Sequence, residues 1–139
     1  MSAKHPQGYS ERLLDHFLHP RHVGAMPDAD GSARVGDPSC GDVLEVWIRV
    51  DDQQRLTDVT FKCRGCPTAI ACASAMTELA IGADLDQAAE IADEQVEEAL
   101  GGLPAAKRHC SNLAADALHE AIFDHVGRAL RPGSAARRS

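Results

Sequence analysis

The hydrophobic period of this chain changes abruptly at Phe61–Cys72, and that change constrains the fold more than any other feature. Ahead of the junction, Leu44, Val46, Ile48 and Val50 alternate with Glu45 and Arg49 over Asp42–Val50. That is the period of a half-buried strand. Asp51-Asp52-Gln53-Gln54 supplies a turn. Leu56–Cys63 then returns with Val59, Phe61 and Cys63 on one face and Asp58, Thr60 and Lys62 on the other, completing an antiparallel hairpin. Beyond the junction, Pro67–Ala80 is apolar nearly all round, as a buried helix must be. Pro67 suits the first helical position, which places Cys66 at the N-cap.

The flanking segments fall into place around this unit. Tyr9, Leu13 and Phe17 form one helical stripe with Leu14 and Leu18 beside it, and Pro20 ends that helix. His19-Pro20-Arg21-His22-Val23-Gly24 reads as an ordered turn. Met26–Ser39, rich in Asp, Gly and Pro, reads as loop with a short edge strand near Ala33–Val35. Asp84–Ile91 and Asp93–Leu100 are expected to be short helices, each opened by an Asp cap. Gly82 and Gly101-Gly102 act as stops. His109–Leu130 is a long helix whose stripe runs Cys110, Leu113, Ala117, Ala121, widened by Ala114, Leu118 and Ile122. No repeat divides the chain, so 1–139 is expected to be a single domain, with 1–8 and 132–139 as disordered tails.

A chain of 139 residues can bury a core, and with 4% aromatic residues that core must rest on Leu, Ile, Val, Ala and Met. The net charge of −7 argues against nucleic acid as the main partner. No apolar run is long enough to span a bilayer. The first residues lack a signal-peptide core, and Glu11 and Asp15 count against a transit peptide. The expected compartment is therefore the cytoplasm, where thiols stay reduced. Five cysteines there point to metal binding or reactivity rather than to disulfides.

Each cysteine carries a different case. Cys40, in Gly36-Asp37-Pro38-Ser39-Cys40-Gly41-Asp42, lies in a loop ahead of a strand, and Asp42 two residues on can converge with it on one metal. A loop thiol beside a turn-forming Asp is an equal reading. Cys66 at a helix N-terminus should have a lowered pKa. Cys110 opens the last helix behind Lys107, Arg108 and His109, and the same lowering is expected there. Those neighbours have no packing use, which favours a functional thiol with a neighbouring imidazole. Cys63 and Cys66 form a Cys-x-x-Cys. A thioredoxin-like motif belongs in a βαβ unit, not after a hairpin, and a zinc ribbon needs a second close pair. Cys63 shares the face of Val59 and Phe61, and Cys72 lies one and two turns before Met76 and Leu79, so both are expected in the core. Among the histidines only His109 has a specific case. For most of His16, His19, His22, His119 and His125, solvent exposure is expected.

Four motifs in order, spread over Tyr9–Leu130, give the chain a family resemblance: His-Pro-Arg-His-Val-Gly (Asn-Pro-Arg-Asn-Val-Gly in the family), Pro38-Ser39-Cys40-Gly41-Asp42, Gly65-Cys66 followed by Ala69-Ile70-Ala71, and His109-Cys110-Ser111. The chain resembles the IscU/NifU-type iron–sulfur cluster scaffold proteins. The resemblance implies an α+β, SufE/NifU-like fold: a three-stranded antiparallel sheet packed against about five helices, the C-terminal one long. It implies a site of Cys40, Asp42, Cys66, His109 and Cys110, with Cys110 as the persulfide acceptor. The implied function is transient assembly of a 2Fe–2S cluster, without enzymatic turnover, from iron and desulfurase-derived sulfur, followed by transfer to apo-proteins. Thiolates suit such a cluster, a carboxylate among them keeps it labile, and zinc can take the same tetrahedral site.

The chain also departs from the family. Leu103-Pro104-Ala105-Ala106-Lys107 stands where the family's chaperone-binding segment reads Leu-Pro-Pro-Val-Lys, so recognition by the chaperone pair does not carry over. Cys63 and Cys72 stand where common members lack cysteine. The alternative is a zinc-binding SufU-type sulfur transferase accepting persulfide from a cysteine desulfurase. Such proteins carry an insertion between the second and third ligand cysteines and lack the His beside the last one. Here Cys66–Cys110 has no room for the insertion, and His109 is present.

Overall fold

The computed structural model describes residues 9–37 and 41–130. The two expected tails, at 1–8 and 132–139, lie outside the described residues, as does Cys40. The elements are α1 (Glu11–Leu18), β1 (Gly31–Asp37), β2 (Asp42–Val50), β3 (Leu56–Arg64), α2 (Pro67–Ala80), α3 (Leu85–Ala89), α4 (Asp93–Ala99), a 3₁₀ turn (Ala105–Lys107) and α5 (His109–Leu130). The three strands form one antiparallel sheet in the order β1-β2-β3. One face of the sheet is covered by α2 and α5, and α1 and α4 pack outside them. This is the expected α+β architecture.

The expected hairpin forms with one irregularity. Arg49 pairs with Asp58 but Val50 pairs with Leu56, so Thr57 is an extra residue on β3. Such a bulge flips side-chain parity. It is why Leu56 and Val59, three apart, both face inward and are fully buried. Val50, beyond the bulge, is only half-buried.

β1 is longer than the short strand expected near Ala33–Val35. Its sequence, Gly-Ser-Ala-Arg-Val-Gly-Asp, is a poor strand signature, and tertiary contact overrides it. Helix α5 lies on it so closely that a Cβ at Gly31 would stand 2.9 Å from the His125 Cβ. The Ser32 N–H donates to Asp124 Oδ2 at 2.9 Å. The opposite edge, β3, is blunted by the turn after α1. The Phe61 N–H donates to the His22 carbonyl, and the Gly24 N–H to the Phe61 carbonyl, at 3.0 and 2.8 Å. His22 (φ 60°) and Gly24 (φ 134°) bend the backbone to reach it.

Helix α2 is the buried centre. Ala69, Ala71, Cys72, Ala73, Ala75, Met76 and Ala80 are all 2% exposed or less. Its small residues let neighbours approach, and Leu13, Leu44, Ile48, Phe61, Leu100 and Leu118 fill the space around it. Leu79, expected in the core, is 37% exposed on the last turn. Asp84 caps α3 in a reciprocal capping box with Gln87. The N-cap of α4 is Ala92, so Asp93 sits inside the first turn, where its charge suits the helix dipole.

The α1 stripe and the histidines correct two expectations. Leu18 is 64% exposed, while His16 is buried against α2. His16 Nδ1 lies 2.7 Å from Ser74 Oγ and Nε2 lies 3.3 Å from Glu78 Oε1. The Ser74 hydroxyl also accepts the Arg21 N–H at 2.9 Å. His125 is likewise buried. The ring of His119 is 2.7 Å from the Ile91 carbonyl, and that of His22 is 2.9 Å from Thr77 Oγ1. Most of these rings thus tie elements together, since an imidazole offers an apolar body with two polar tips.

Burial, and then the Arg21 guanidinium, pull His16 below its ordinary pKa, against Glu78 and Asp15. A depressed imidazole leaves the unfolded chain binding the proton first. Stability is fully present above the unfolded value, about 6.5, and is lost as pH falls towards the folded one. The melting temperature should therefore drop more steeply between pH 7 and 5 in the wild type than in His16→Gln. Parallel pH profiles of the two would refute this role for His16.

Candidate metal centre

Three chain segments end at one place. Asp42 opens β2, Cys66 is the N-cap of α2, and His109 and Cys110 open α5. Asp42 is 2% exposed and Cys110 1%. The Asp42 carboxylate divides its work. Oδ1 accepts the Cys66 backbone N–H at 3.0 Å, while Oδ2 faces Cys66 Sγ at 3.7 Å and His109 Nε2 at 4.0 Å. Cys110 Sγ lies 3.7 Å from Cys66 Sγ and 3.6 Å from His109 Nε2. The donor atoms of Asp42, His109 and Cys110 all lie within 4.8 Å of one another.

Three of these donor spacings, 3.7, 3.7 and 3.6 Å, lie close to the edges of a tetrahedral site. Bonds of about 2.3 Å to sulfur and about 2.0 Å to nitrogen or oxygen place ligand atoms about 3.3–3.8 Å apart. Oδ2, Cys66 Sγ, Cys110 Sγ and Nε2 form a closed ring with edges of 3.7, 3.7, 3.6 and 4.0 Å. The donor set is two thiols, an imidazole and a carboxylate, which fits zinc or iron. Four of the five residues expected at the site are therefore brought together. The fifth, Cys40, lies outside the described residues.

The electrostatics differ from expectation at Cys110. Its thiol is pushed up rather than down, by burial first and then by Cys66 and Asp42, with Lys107 opposing. The flanking cations do not rescue it, because Arg108 turns away to pair with Glu97 at 3.5 Å. A buried group of two thiols and a carboxylate accumulates negative charge when it ionises, and a cation entering it would reverse that logic.

Cys72 is fully buried in the core, as expected, and burial pushes its thiol up. Cys63 is half-buried rather than fully buried, packed against the edge of the core. Burial, with Asp42 and Cys66 nearby, pushes it up to about 12. Sequence reasoning singled out all five proposed ligands but missed Gly65. A Cβ there would stand 2.8 Å from Asp42 Cγ.

Comparison with known proteins shows the family. Residues 8–132 match the family model described as NifU-like N terminal domain. The chain belongs to the NifU-like N-terminal domain family. It is 50% identical over 117 residues to "Iron-sulfur cluster assembly scaffold protein IscU 1" of Archaeoglobus fulgidus, covering 84% of this chain and 76% of that protein. It is 44% identical over 123 residues to "Iron-sulfur cluster assembly scaffold protein IscU" of Escherichia coli strain K12, covering 86% and 95%. The NifU-like N-terminal protein of Brucella abortus shares the fold, with a TM-score of 0.68 at 21% identity over 84% of this chain and 93% of that one.

The burial order within this NifU-like domain gives a chemical test. Thiolate, not thiol, is alkylated, so a raised pKa and burial both slow the reaction. With iodoacetamide at pH 8, mass mapping of the native metal-free protein should find Cys72 unmodified until denaturant is added. It should find Cys63 modified more slowly than free cysteine. Rapid native labelling of Cys72 would contradict the packing of α2.

Proposed function

We propose that the protein is a non-enzymatic scaffold on which a 2Fe–2S cluster is assembled and then passed to apo-proteins. The observation that carries this reading is the convergence of four candidate donors from three element ends, three of their spacings at 3.6–3.7 Å. The identity to proteins named as iron–sulfur cluster assembly scaffolds supports it. Cys40, Asp42, Cys66, His109 and Cys110 are the proposed ligand set. Iron and sulfide are cargo, and the thiolates supply soft ligands suited to them. Asp42 is the hard member of the set, which keeps the cargo exchangeable. Zinc suits the same donor types in the isolated protein.

Cys110 is the proposed sulfur acceptor. A cysteine desulfurase would present a persulfide. The Cys110 proton has a receiver in His109 Nε2, 3.6 Å away. The resulting thiolate attacks the terminal sulfur, forms a new S–S bond on Cys110, and releases the desulfurase cysteine as thiolate. Two electrons from an external donor then reduce that sulfur to sulfide. The proposed setting is cytoplasmic, with one scaffold domain over 1–139, a desulfurase and apo-proteins as partners, and no nucleic acid or membrane. Among the described residues no helix is long and apolar enough to cross a membrane.

The second reading is a zinc-binding sulfur transferase of the SufU type, which the same donor set also accommodates. His109 in the ring and the short Cys66–Cys110 interval favour the scaffold. Anaerobic incubation with ferrous iron, cysteine and a desulfurase should give a visible-absorbing cluster in the wild type. Cys66→Ala and Cys110→Ala should each reduce it to background. Stoichiometric zinc with stimulated desulfurase turnover and no iron uptake would replace the scaffold by the transferase.

A further inference from the structure

Two glycines flank the buried carboxylate of Asp42, and they are glycine for different reasons. Gly41 has φ +75°, a left-handed backbone, and a Cβ there would meet nothing within 4 Å. Its constraint is conformational. Gly65, between β3 and α2, is exposed and lies outside the left-handed region, so its backbone conformation does not call for glycine. Its constraint is space. A Cβ at Gly65 would stand 2.8 Å from Asp42 Cγ and 3.1 Å from Asp42 Cβ, and would overlap Oδ1.

We infer that Gly65 is a positioning residue for Asp42. Its missing side chain lets the carboxylate lie flat against the start of α2. There Oδ1 takes the Cys66 N–H, and Oδ2 is turned towards Cys66 Sγ and His109 Nε2. Asp42 has no alternative place to go. It is 2% exposed, and its backbone is fixed in the β2 register opposite Asp37. Adding one methyl at Gly65 must either rotate the carboxylate away from the Cys66 amide or lift the β3–α2 junction away from β2. Both movements take Oδ2 out of the ring of donors. The metal-binding half of this inference rests on reading Asp42 as a ligand. The steric half does not.

A double-mutant cycle separates the two. Wild type, Gly65→Ala, Asp42→Ala and the double variant would be titrated anaerobically with Co(II) and unfolded, metal-free, in urea. Asp42→Ala removes Cγ and both oxygens and leaves only Cβ near the added methyl. Gly65→Ala should weaken Co(II) binding about 10–100-fold, the range for residues that orient ligands. It should keep the thiolate-to-cobalt charge-transfer absorption, because Cys66 and Cys110 remain. It should also lower the urea midpoint. In the Asp42→Ala background the same substitution should cost no further affinity and a clearly smaller midpoint shift. Equal costs in both backgrounds, or no cost in either, would overturn the inference. If the wild type takes up no Co(II), the metal reading of the site fails. The urea cycle then decides the Gly65–Asp42 coupling alone: a smaller shift without Asp42 upholds it, an equal shift overturns it.

Discussion

The hydrogen bond from the Cys66 amide to Asp42 Oδ1 joins the first residue of the central strand to the first turn of the buried helix, and the geometry of the whole site depends on it. Cys66 is the N-cap of α2 but makes no side-chain capping bond. Capping is supplied from 24 residues away, by a carboxylate aligned with the positive end of the helix dipole. One side chain therefore does two things. Oδ1 fixes where α2 begins, and Oδ2 is presented to the thiols and the imidazole. A carboxylate with only one of these roles could rotate. With both, the Asp42 orientation and the Cys66 position are a single geometric fact. The start of α5 completes the arrangement because α5 packs along β1 and α2 and so delivers His109 and Cys110 to the same end.

That placement has an electrostatic consequence. Asp42 and Cys110 are withdrawn from water, and their neighbour Cys66 is only partly exposed. Burial first, and then the nearby Cys66 and Asp42, disfavour the ionised form of Cys110. A cation entering the site would reverse that. The nearby Arg108 is committed elsewhere, to Glu97. On the proposed ligand set, the thiols must lose their protons to hold the cargo, so affinity and pH would be linked at the site.

Much of this was legible in the sequence, and the failures are specific. Alternation gave the β2–β3 hairpin, and the apolar run after Pro67 gave α2 with Cys66 as its N-cap. Parity failed beyond Arg49, because the bulge at Thr57 leaves no mark in composition. β1 was only half visible. Its Gly31 and Gly36 weaken a strand on propensity, and what makes it one is the surface of α5, a contact far away in sequence. The burial of His16 leaves no local mark, because the hydroxyl that holds it, on Ser74, lies 58 residues on. At the site, the residue types and their helix-start positions could be read directly. The raised pKa of Cys110 could not, since it comes from burial first and then from Cys66 and Asp42 converging on it, and a basic local sequence pointed the other way.

The same convergence explains why five cysteines do not make a five-thiol site. Cys63 and Cys66 are neighbours in sequence, but the chain between them turns from strand to helix. Cys63 keeps the sheet's inward parity, opposite Leu44, while Cys66 steps out to cap α2. Cys72 is on the same helix as Cys66 but six residues along. At 100° and 1.5 Å per residue that is about 240° round the axis and about 9 Å away, facing the core instead of the helix end. Cys-x-x-Cys spacing counts residues, but ligation depends on where the backbone changes direction. Here the change falls at Gly65, the position where the Asp42 carboxylate leaves no room for a side chain.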